Sequence, residues 1–187
     1  MRVEAQITYF YKTYFDSDLY LMTSGFLFMK KIKLTKGKFA LVDDDMYDEL
    51  NQFKWQAGKQ QNNFYARRGV WNNKKCTTIR MHRHILKLTD SKIKCDHINH
   101  NSLDNQTLNL RACTNAENLR NSKSRVGSSS KYKGVSFYKP LNKWRAQIMA
   151  DDKVTHLGYF KYELEAAQEY DKAAKKYHKE FAVINLI

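Results

Sequence analysis

The sequence has few cysteines and no apolar run of membrane-spanning length. Its 187 residues include three cysteines, Cys76, Cys95 and Cys113, which are odd in number and show no C-x-x-C spacing. We therefore expect reduced, buried thiols, with no disulfide framework and no structural zinc. No stretch approaches 18 consecutive apolar residues, and no signal peptide is recognisable at the start. These features predict an intracellular protein, without export or membrane insertion.

Acidic residues are scarce relative to basic ones. Lys and Arg total 33 against 19 Asp and Glu, which gives a net charge of +14 and a pI near 9.6. This excess favours a polyanionic partner, with nucleic acid the first candidate and an anionic membrane surface the second. A hydrophobic content of 42% argues against global disorder. The length suits one medium domain or two small ones.

No acidic residue occurs between Asn118 and Ala150, whereas eight Lys and Arg do. Within this stretch, residues 122–131 are small, polar and basic, which predicts a flexible linker that also contacts a phosphate backbone. At the other end of the chain, residues 1–28 are aromatic-rich without a clear period. They are assigned as an extension of unclear role.

Residues 94–121, KCDHINHNSLDNQTLNLRACTNAENLRN, are the densest source of catalytic side-chain types. Alternation over residues 93–98 predicts a strand that ends near Asp96 and His97, and residues 99–105 predict a loop. A second strand is predicted over residues 108–113. Thr114, followed by Glu117 three residues later, is a capping box that predicts the start of a helix.

A helix across such a hairpin would bring together Asp96, His97, Asn109 and Asn118. Carboxylate and amide oxygens suit Mg²⁺ or Mn²⁺, and a neutral imidazole can take a proton from water. An Asn carbonyl can hold the imidazole in one tautomer. The alternative is a surface Asp-His pair beside an ordinary Asn-rich loop. In either case we expect His100 to be solvated and Asn99, Asn101 and Asn105 to form turns.

At these residues the chain resembles the HNH homing endonucleases, in particular their phage and intron-encoded branch. The matching positions are the Asp96-His97 pair, Asn109 and Asn118, with Asn at the last position where many members have His. The resemblance implies that His97 is the general base and that Asp96 and Asn118 bind the metal. It also implies that Asn109 orients His97.

The segment before this motif predicts a scaffold. Two short strands around Lys36-Gly37 are followed by a helix that begins with three aspartates, and two further strands are joined by Asn72-Asn73. On the second of these strands His82 and His84 would share a face, with no catalytic role preferred for either. The predicted function of this sheet is to present basic residues toward DNA, namely Arg67, Arg68, Arg80 and Arg83.

Three strand-like runs and a helix follow the linker. In the middle strand Trp144, Ala146 and Ile148 alternate with Arg145, Gln147 and Met149, so one set should face the helix and the other should face outward. Leu164, Ala167, Tyr170, Ala174 and Tyr177 form the predicted buried stripe of the helix. A basic sheet face of this kind can enter a major groove.

This module resembles the Apetala-two or ethylene-response-factor DNA-binding domain, through YKGVSF, NKWRAQI, LGYF and AAQEYDKAA in that order. The resemblance implies outward contact positions at Lys133, Ser136, Tyr138, Arg145, Gln147 and His156. Several of these are Arg or Trp in plant members, so their sequence preference does not carry over. Tyr170 and Asp171 are expected to be packing residues.

The sequence as a whole predicts an α+β protein. N-terminal strands lead into a ββα-metal nuclease domain at residues 29–121, and the linker joins it to a three-stranded antiparallel sheet packed on one helix at residues 132–187. The expected function is Mg²⁺-dependent cleavage of duplex DNA by a monomer, or alternatively a dimer, with no small-molecule cofactor and no membrane partner. Its location would be the cytoplasm, the nucleoid or a phage-infected cell. The competing hypotheses are a catalytically inactive DNA-binding regulator and an RNA-binding or RNA-processing protein.

Overall fold

The computed structural model describes residues 29–125, 127–150 and 153–186, so the predicted extension at residues 1–28 lies outside the described part of the chain. The strands are β1 Met29–Lys33, β2 Phe39–Asp43, β3 Gln56–Gln60, β4 Asn63–Asn72, β5 Lys75–Arg80, β6 Lys94–His97, β7 Leu110–Cys113, β8 Val135–Tyr138, β9 Lys143–Ala150 and β10 Lys153–Phe160. The helices are α1 Asp44–Asn51, α2 Met81–Ile85, α3 Asn115–Arg120 and α4 Glu163–His178. Small antiparallel sheets with few helices confirm the predicted α+β class.

The first hairpin and helix form where the sequence predicts them. Lys36 and Gly37 both have positive φ, 60° and 64°, as a tight turn between twisted strands requires. Asp44 and Asp45 lie in the first turn of α1, near the positive end of the helix dipole. Asp43 does not cap the helix with its side chain but accepts a hydrogen bond from the backbone N–H of Thr107, at 2.7 Å. This bond ties the hairpin to the segment between β6 and β7.

The second sheet, β3-β4-β5, differs from the prediction at both of its ends. Strand β3, QAGKQ, was not predicted, because it has no alternation of large apolar residues to mark it. The segment that contains His82 and His84 is not part of a strand but forms helix α2. Met81 and Ile85, four residues apart and both buried, form the side of this helix that packs into the core.

One hydrophobic core joins these elements and supports β6 and β7. It consists of Ile32, Leu34, Ala40, Val42, Leu50, Trp55, Ala57, Ala66, Met81, Ile85 and Leu110. Strands β6 and β7 pair with Asp96 opposite Arg111 and His97 opposite Leu110. Helix α3 follows, and both hydrogen bonds of the Thr114–Glu117 capping box are present, which confirms its predicted start. The loop between the strands also joins β2, because the backbone N–H of Asn105 donates to the carbonyl of Leu41 at 2.8 Å.

The C-terminal sheet has the order β10-β9-β8, with α4 packed on one face. Ala146 and Ile148 are buried and Met149 is exposed, which confirms the predicted alternation of β9. Gly134 has a φ of 74°, and a side chain there would collide with the ring of the buried Tyr170. The predicted stripe of α4 is wrong at its two ends, since Leu164 and Tyr177 are 49% and 37% exposed. The small residues Ala166, Ala167, Ala173 and Ala174 instead provide most of the contact with the sheet.

The predicted linker is fixed at its C-terminal end. The hydroxyl of Ser130 is buried, donates to Glu163 at 2.7 Å and accepts from the backbone N–H of Tyr132 at 3.0 Å. The hydroxyl of Ser129 accepts from the backbone N–H of Phe137 at 2.9 Å. Because of these hydrogen bonds, Ser129 and Ser130 are fixed to the C-terminal module and are not part of a flexible linker.

Two further expectations concern the thiols and the membrane. Of the cysteines expected to be buried, Cys113 is buried and Cys95 is partly so, whereas Cys76 is exposed on β5. In the described ranges, no helix is both long enough and apolar enough to cross a membrane.

Candidate active site

A wide groove of about 1510 Å³ runs between the β3-β4-β5 sheet, helix α2 and the β6-β7-α3 segment. Three of the four residues of the predicted nuclease site, Asp96, His97 and Asn118, line this groove. The fourth, Asn109, is buried at the end of a short 3-10 turn just before β7. His100, which we expected to be solvated, is partly buried in the wall of the same groove.

The Asp96 side chain is 7% exposed, and its carboxylate is held by two neighbours. Nε and Nη2 of Arg111, the cross-strand partner of Asp96, donate to Oδ2 at 2.9 Å and 2.7 Å. Nδ2 of Asn121 donates to Oδ1 at 2.9 Å and to the carbonyl of His97 at 3.2 Å. Asn121, one helical turn beyond Asn118 on the edge of α3, is therefore the asparagine in contact with Asp96.

The imidazole of His97 is 7% exposed, and its Nε2 lies 3.4 Å from Oδ1 of Asn105. Burial lowers the pKa of His97 below its usual value, while the contact with Asn105 and the nearby Asp96 and Asp104 oppose this shift. The balance favours a neutral ring at neutral pH. A neutral imidazole with one nitrogen held by an amide is able to accept a proton on the other.

Asn109 does not hold the His97 ring as the resemblance implies. Its Oδ1 accepts from the backbone N–H of Asn99 at 2.9 Å, and its Nδ2 donates to the carbonyl of Asp104 at 2.8 Å. Both bonds close the loop between β6 and β7, which leaves Asn105, 1% exposed, as the contact of the His97 ring. Asn105 was predicted to be a turn former. Nothing in the local sequence distinguishes it from its neighbours, because the path of the loop over β2 determines which asparagine faces His97.

The other loop asparagines do form turns as predicted. Oδ1 of Asn99 accepts from the backbone N–H of Asn101 at 2.8 Å, and Oδ1 of Asn101 accepts from that of Leu103 at 3.2 Å. These side-chain turns fold the loop back on itself and keep it short. The Ser102 hydroxyl then fixes the loop to β4 by donating to the carbonyl of Phe64 at 2.7 Å.

His82 and Tyr65 are neighbours of His97, a placement that the sequence did not predict. The His82 ring is 4% exposed and stands perpendicular to the His97 ring, with 5.2 Å between centroids. The Tyr65 ring lies 5.7 Å from His82 and 6.1 Å from His97. Burial, with added repulsion from His97, Arg80 and Arg83, lowers the pKa of His82 to about 3. The four-residue spacing of Met81 and Ile85 is the sequence signal that could have predicted a helix here, with His82 on its buried side.

The four arginines expected to face DNA divide into two pairs. Arg67 and Arg80 are exposed, and Arg80 donates to Gln60 at 2.9 Å. Arg68 lies on the opposite side, with its guanidinium 3.8 Å from the centroid of the Phe53 ring. Arg83 donates to backbone carbonyls, among them that of Ile93 at 2.6 Å, and so holds the segment before β6. The first pair is therefore the more exposed one.

The outer face of the C-terminal sheet carries five of the six predicted contact positions. The strand register places Ser136 and Tyr159 on either side of Arg145, and His156 opposite Gln147. Tyr138 and Tyr159 pack with ring centroids 5.2 Å apart. This face is therefore aromatic as well as basic.

Lys133, the sixth position, does not lie on that face. Its ammonium donates to the carbonyls of Leu119, at 3.3 Å, and of Arg120, where α3 ends. Burial there lowers the pKa of Lys133 to about 8. Lys133 therefore lies against the negative end of α3 and joins the β6-β7-α3 segment to the C-terminal module.

A second link between the β6-β7-α3 segment and the C-terminal module passes through Arg111. Besides holding Asp96, its guanidinium donates to the carbonyl of Glu180 at 2.6 Å and stacks on the Phe181 ring, 3.8 Å from the centroid. Phe181 is buried in the 3-10 turn Lys179–Phe181 after α4. The carboxylate of the groove is thus two contacts away from the C-terminal module.

Comparison with known proteins shows a similarity to a viral protein. No protein-family model matches the chain. The chain is 28% identical over 177 residues to a protein of Acanthamoeba polyphaga mimivirus described as an uncharacterized HNH endonuclease. The matched region is 92% of this chain and 88% of that protein. The unmatched part of this chain is smaller than the segment that forms the groove and smaller than the segment that forms the C-terminal sheet. The similarity therefore includes at least part of each.

Proposed function

We propose that the chain is a metal-dependent endonuclease of the HNH type that hydrolyses phosphodiester bonds of duplex DNA at a preferred site, as homing nucleases do. The observation that carries this proposal is the position of Asp96 and His97, consecutive on β6 and buried in the wall of a groove that Asn118 also lines. The net charge of +14 suits a nucleic-acid substrate. The similarity to the mimivirus protein described as an HNH endonuclease supports the same reaction class.

The donors around Asp96 fit a hard divalent cation, Mg²⁺ first and Mn²⁺ second. Oδ2 of Asp96 accepts two hydrogen bonds from Arg111. Among the residues that the structure describes, Oδ1 accepts from Asn121 alone and retains a lone pair for a cation. We assign the amide oxygen of Asn118 as the second ligand, because it lines the same groove. A bound Mg²⁺ would polarise the scissile phosphate and stabilise charge on the leaving 3′ oxygen.

His97 is the proposed general base. With Nε2 directed at the Asn105 carbonyl oxygen, the neutral ring carries its hydrogen on Nε2, and the lone pair is on Nδ1. That nitrogen takes the proton from the attacking water, and the products are a 5′-phosphate and a 3′-hydroxyl. Asn105 holds the tautomer, and Asn109 acts one step further away by closing the loop that carries Asn105. One such site per chain suggests nicking unless two chains act together.

The outer face of β8, β9 and β10 is the proposed positioning surface, as the resemblance to the Apetala-two domain suggests. Arg145 is its central cation, flanked by Ser136 at 3.2 Å and by the Tyr138 ring, 5.6 Å from the guanidinium. A guanidinium there can pair with a guanine edge or with phosphate. Gln147 and His156 supply further polar groups beside it.

The Asp96–Arg111 ion pair favours a second candidate, a DNA-binding protein that does not cut. A carboxylate already neutralised by a guanidinium attracts a cation less strongly than a free one. In that case the groove and the C-terminal sheet would bind DNA only. The two candidates differ in whether any DNA bond is broken.

Incubation of supercoiled plasmid with the full chain distinguishes them. We expect nicked or linear plasmid in Mg²⁺ or Mn²⁺ and intact plasmid in excess chelator, with ends that a ligase can rejoin because they carry 5′-phosphate and 3′-hydroxyl. Retarded but uncut plasmid at every metal concentration would favour the regulator. Binding of RNA in preference to duplex DNA would contradict both candidates, because the deep major groove of A-form RNA does not admit a sheet.

A further inference from the structure

The β3-β4-β5 sheet carries positive charge without any negative charge. Between Gln56 and Arg80 the sequence contains six Lys and Arg and no Asp or Glu. Part of this sheet forms a wall of the groove, because Gly58 and Arg67 line the groove together with His97. The rest of the sheet extends beyond the groove toward the turn between β4 and β5.

One face of this sheet packs on the core and the other is open. On β4, Ala66 is buried in the core, while its neighbours Tyr65 and Arg67 point the opposite way. Arg80 of β5 reaches across Tyr65 to Gln60 of β3, so these side chains share one surface. We call this surface the open face, with the members Gln60, Tyr65, Arg67, Trp71 and Arg80.

The open face is continuous with the candidate active site. Tyr65 belongs to it and is also the ring 6.1 Å from His97. Gly58 lies beneath the Arg67 side chain, and a Cβ at this position would collide with the guanidinium arm. A bare backbone there lets Arg67 lie flat on the sheet, with its charge directed along the surface rather than away from it.

Trp71 is the most exposed large apolar side chain of the described residues, at 74%. It stands on the open face two residues after Gly69, close to the turn at Asn73 and Lys74, which both have positive φ. At that exposure most of the apolar surface of the indole lies in water, and covering it with a partner would be favourable. Its neighbours Lys74 and Lys75 place it in a cationic surrounding that suits a polyanion.

We propose that duplex DNA lies along the open face, with its phosphates against Arg67 and Arg80, and that Trp71 packs against the duplex at a fixed distance from the cut. This inference rests on the proposed nuclease function. Trp71 follows Tyr65 by six positions on β4, and a strand rises ~3.3 Å per residue, so the two lie about 20 Å apart. At ~3.4 Å per base pair, Trp71 meets the DNA about six base pairs from the scissile bond.

Duplexes that differ only in length on one side of the cut test the proposal. The full chain, Trp71→Ala and Trp71→Phe would be titrated with duplexes having about twelve or about three base pairs on either side of a mapped cleavage position. Leu164→Ala, which removes an exposed apolar side chain from α4, is the matched control. Cutting of the longest duplex at saturating protein would be followed in Mg²⁺ for each variant.

For the wild type, the Phe variant and the control, we expect shortening on one side to weaken binding at least about fivefold, because the aromatic side chain at position 71 would no longer be covered by the duplex. Trp71→Ala should bind the long duplex as weakly as the wild type binds the short one, lose its sensitivity to that flank, and still cut at saturation. If Trp71→Ala binds and responds to flank length as the wild type does while the wild type cuts, the inference is wrong and the proposed function stands. If the wild type neither binds nor cuts duplex DNA, both are wrong.

Discussion

Replacing His82 by Phe should flatten the dependence of stability on pH. The pKa of His82 falls to about 3 in the folded protein, because burial disfavours its charged form. In the unfolded chain its pKa is about 6.5. Since the folded value is depressed, the stability that His82 contributes is complete above about pH 6.5 and is lost as pH falls, when the unfolded chain takes up the proton.

The size of the effect follows from this linkage. Between about pH 7.5 and about pH 5.5, the unfolded state gains about 1.4 kcal/mol from protonation at this one position, while the folded state gains almost nothing. The free energy of unfolding of the wild type should therefore fall by that amount more than that of His82→Phe. His97, His100 and His178 have pKa values lowered in the same direction, so the difference between the two proteins, not the wild-type slope alone, reports on His82.

Urea unfolding at the two pH values measures this difference, with the fluorescence of the buried Trp55 reporting on the N-terminal core. Met81→Leu is the matched control, because it alters a buried residue of the same helix without a titrating group. It should change the free energy of unfolding equally at both pH values. An equal pH dependence in the wild type and His82→Phe would refute the reasoning, since it would mean that His82 is protonated in the folded state or is exposed.

Three further predictions concern the groove and the C-terminal module. Asn105→Ala should slow cleavage about tenfold or more with unchanged DNA affinity, because the His97 ring is then no longer held in one tautomer. Asn109→Ala should slow cleavage and also lower the free energy of unfolding by about 1–2 kcal/mol, since both hydrogen bonds of Asn109 close the loop. Single-turnover rates and urea midpoints of the two variants check these expectations. Asn118→Ala should raise the Mg²⁺ concentration needed for half-maximal cutting, and rescue of Asn109→Ala but not Asn118→Ala by added Mg²⁺ would reverse the roles of the two residues. Lys133→Met should leave DNA affinity nearly unchanged, because Lys133 caps α3. Arg145→Ala should reduce the binding free energy by about 1–3 kcal/mol at one base position of the target, which binding titrations with single-base variants of the target would show.

Local chemistry could be predicted from the sequence where neighbours in the chain decide the outcome. The Thr114–Glu117 capping box is such a case, since all of its atoms lie within one helical turn. The alternation of β9 is another, because one face of the strand packs on α4.

Where distant segments decide the outcome, prediction from the sequence failed. Strand β3 buries only Ala57 and Gly58, so its pairing with β4 leaves no trace in hydrophobic periodicity. The choice of Asn105 over Asn109 as the contact of His97 depends on how the loop crosses β2. Lys133 is a third case, because its neighbours in the chain predict an exposed cation and only the folded chain brings it to the end of α3.

The proposed role of His97, activation of water for DNA hydrolysis, is tested most directly by the single-turnover cutting rate of His97→Ala, measured together with its DNA affinity. We expect the rate in Mg²⁺ to fall by ~10²–10⁴-fold while the dissociation constant for the uncut duplex changes little, because the base acts on water and not on binding. His97→Gln, which retains a polar side chain but no titrating nitrogen, should be equally slow. Cutting by His97→Ala at the wild-type rate would contradict the account and would remove His97 from the mechanism.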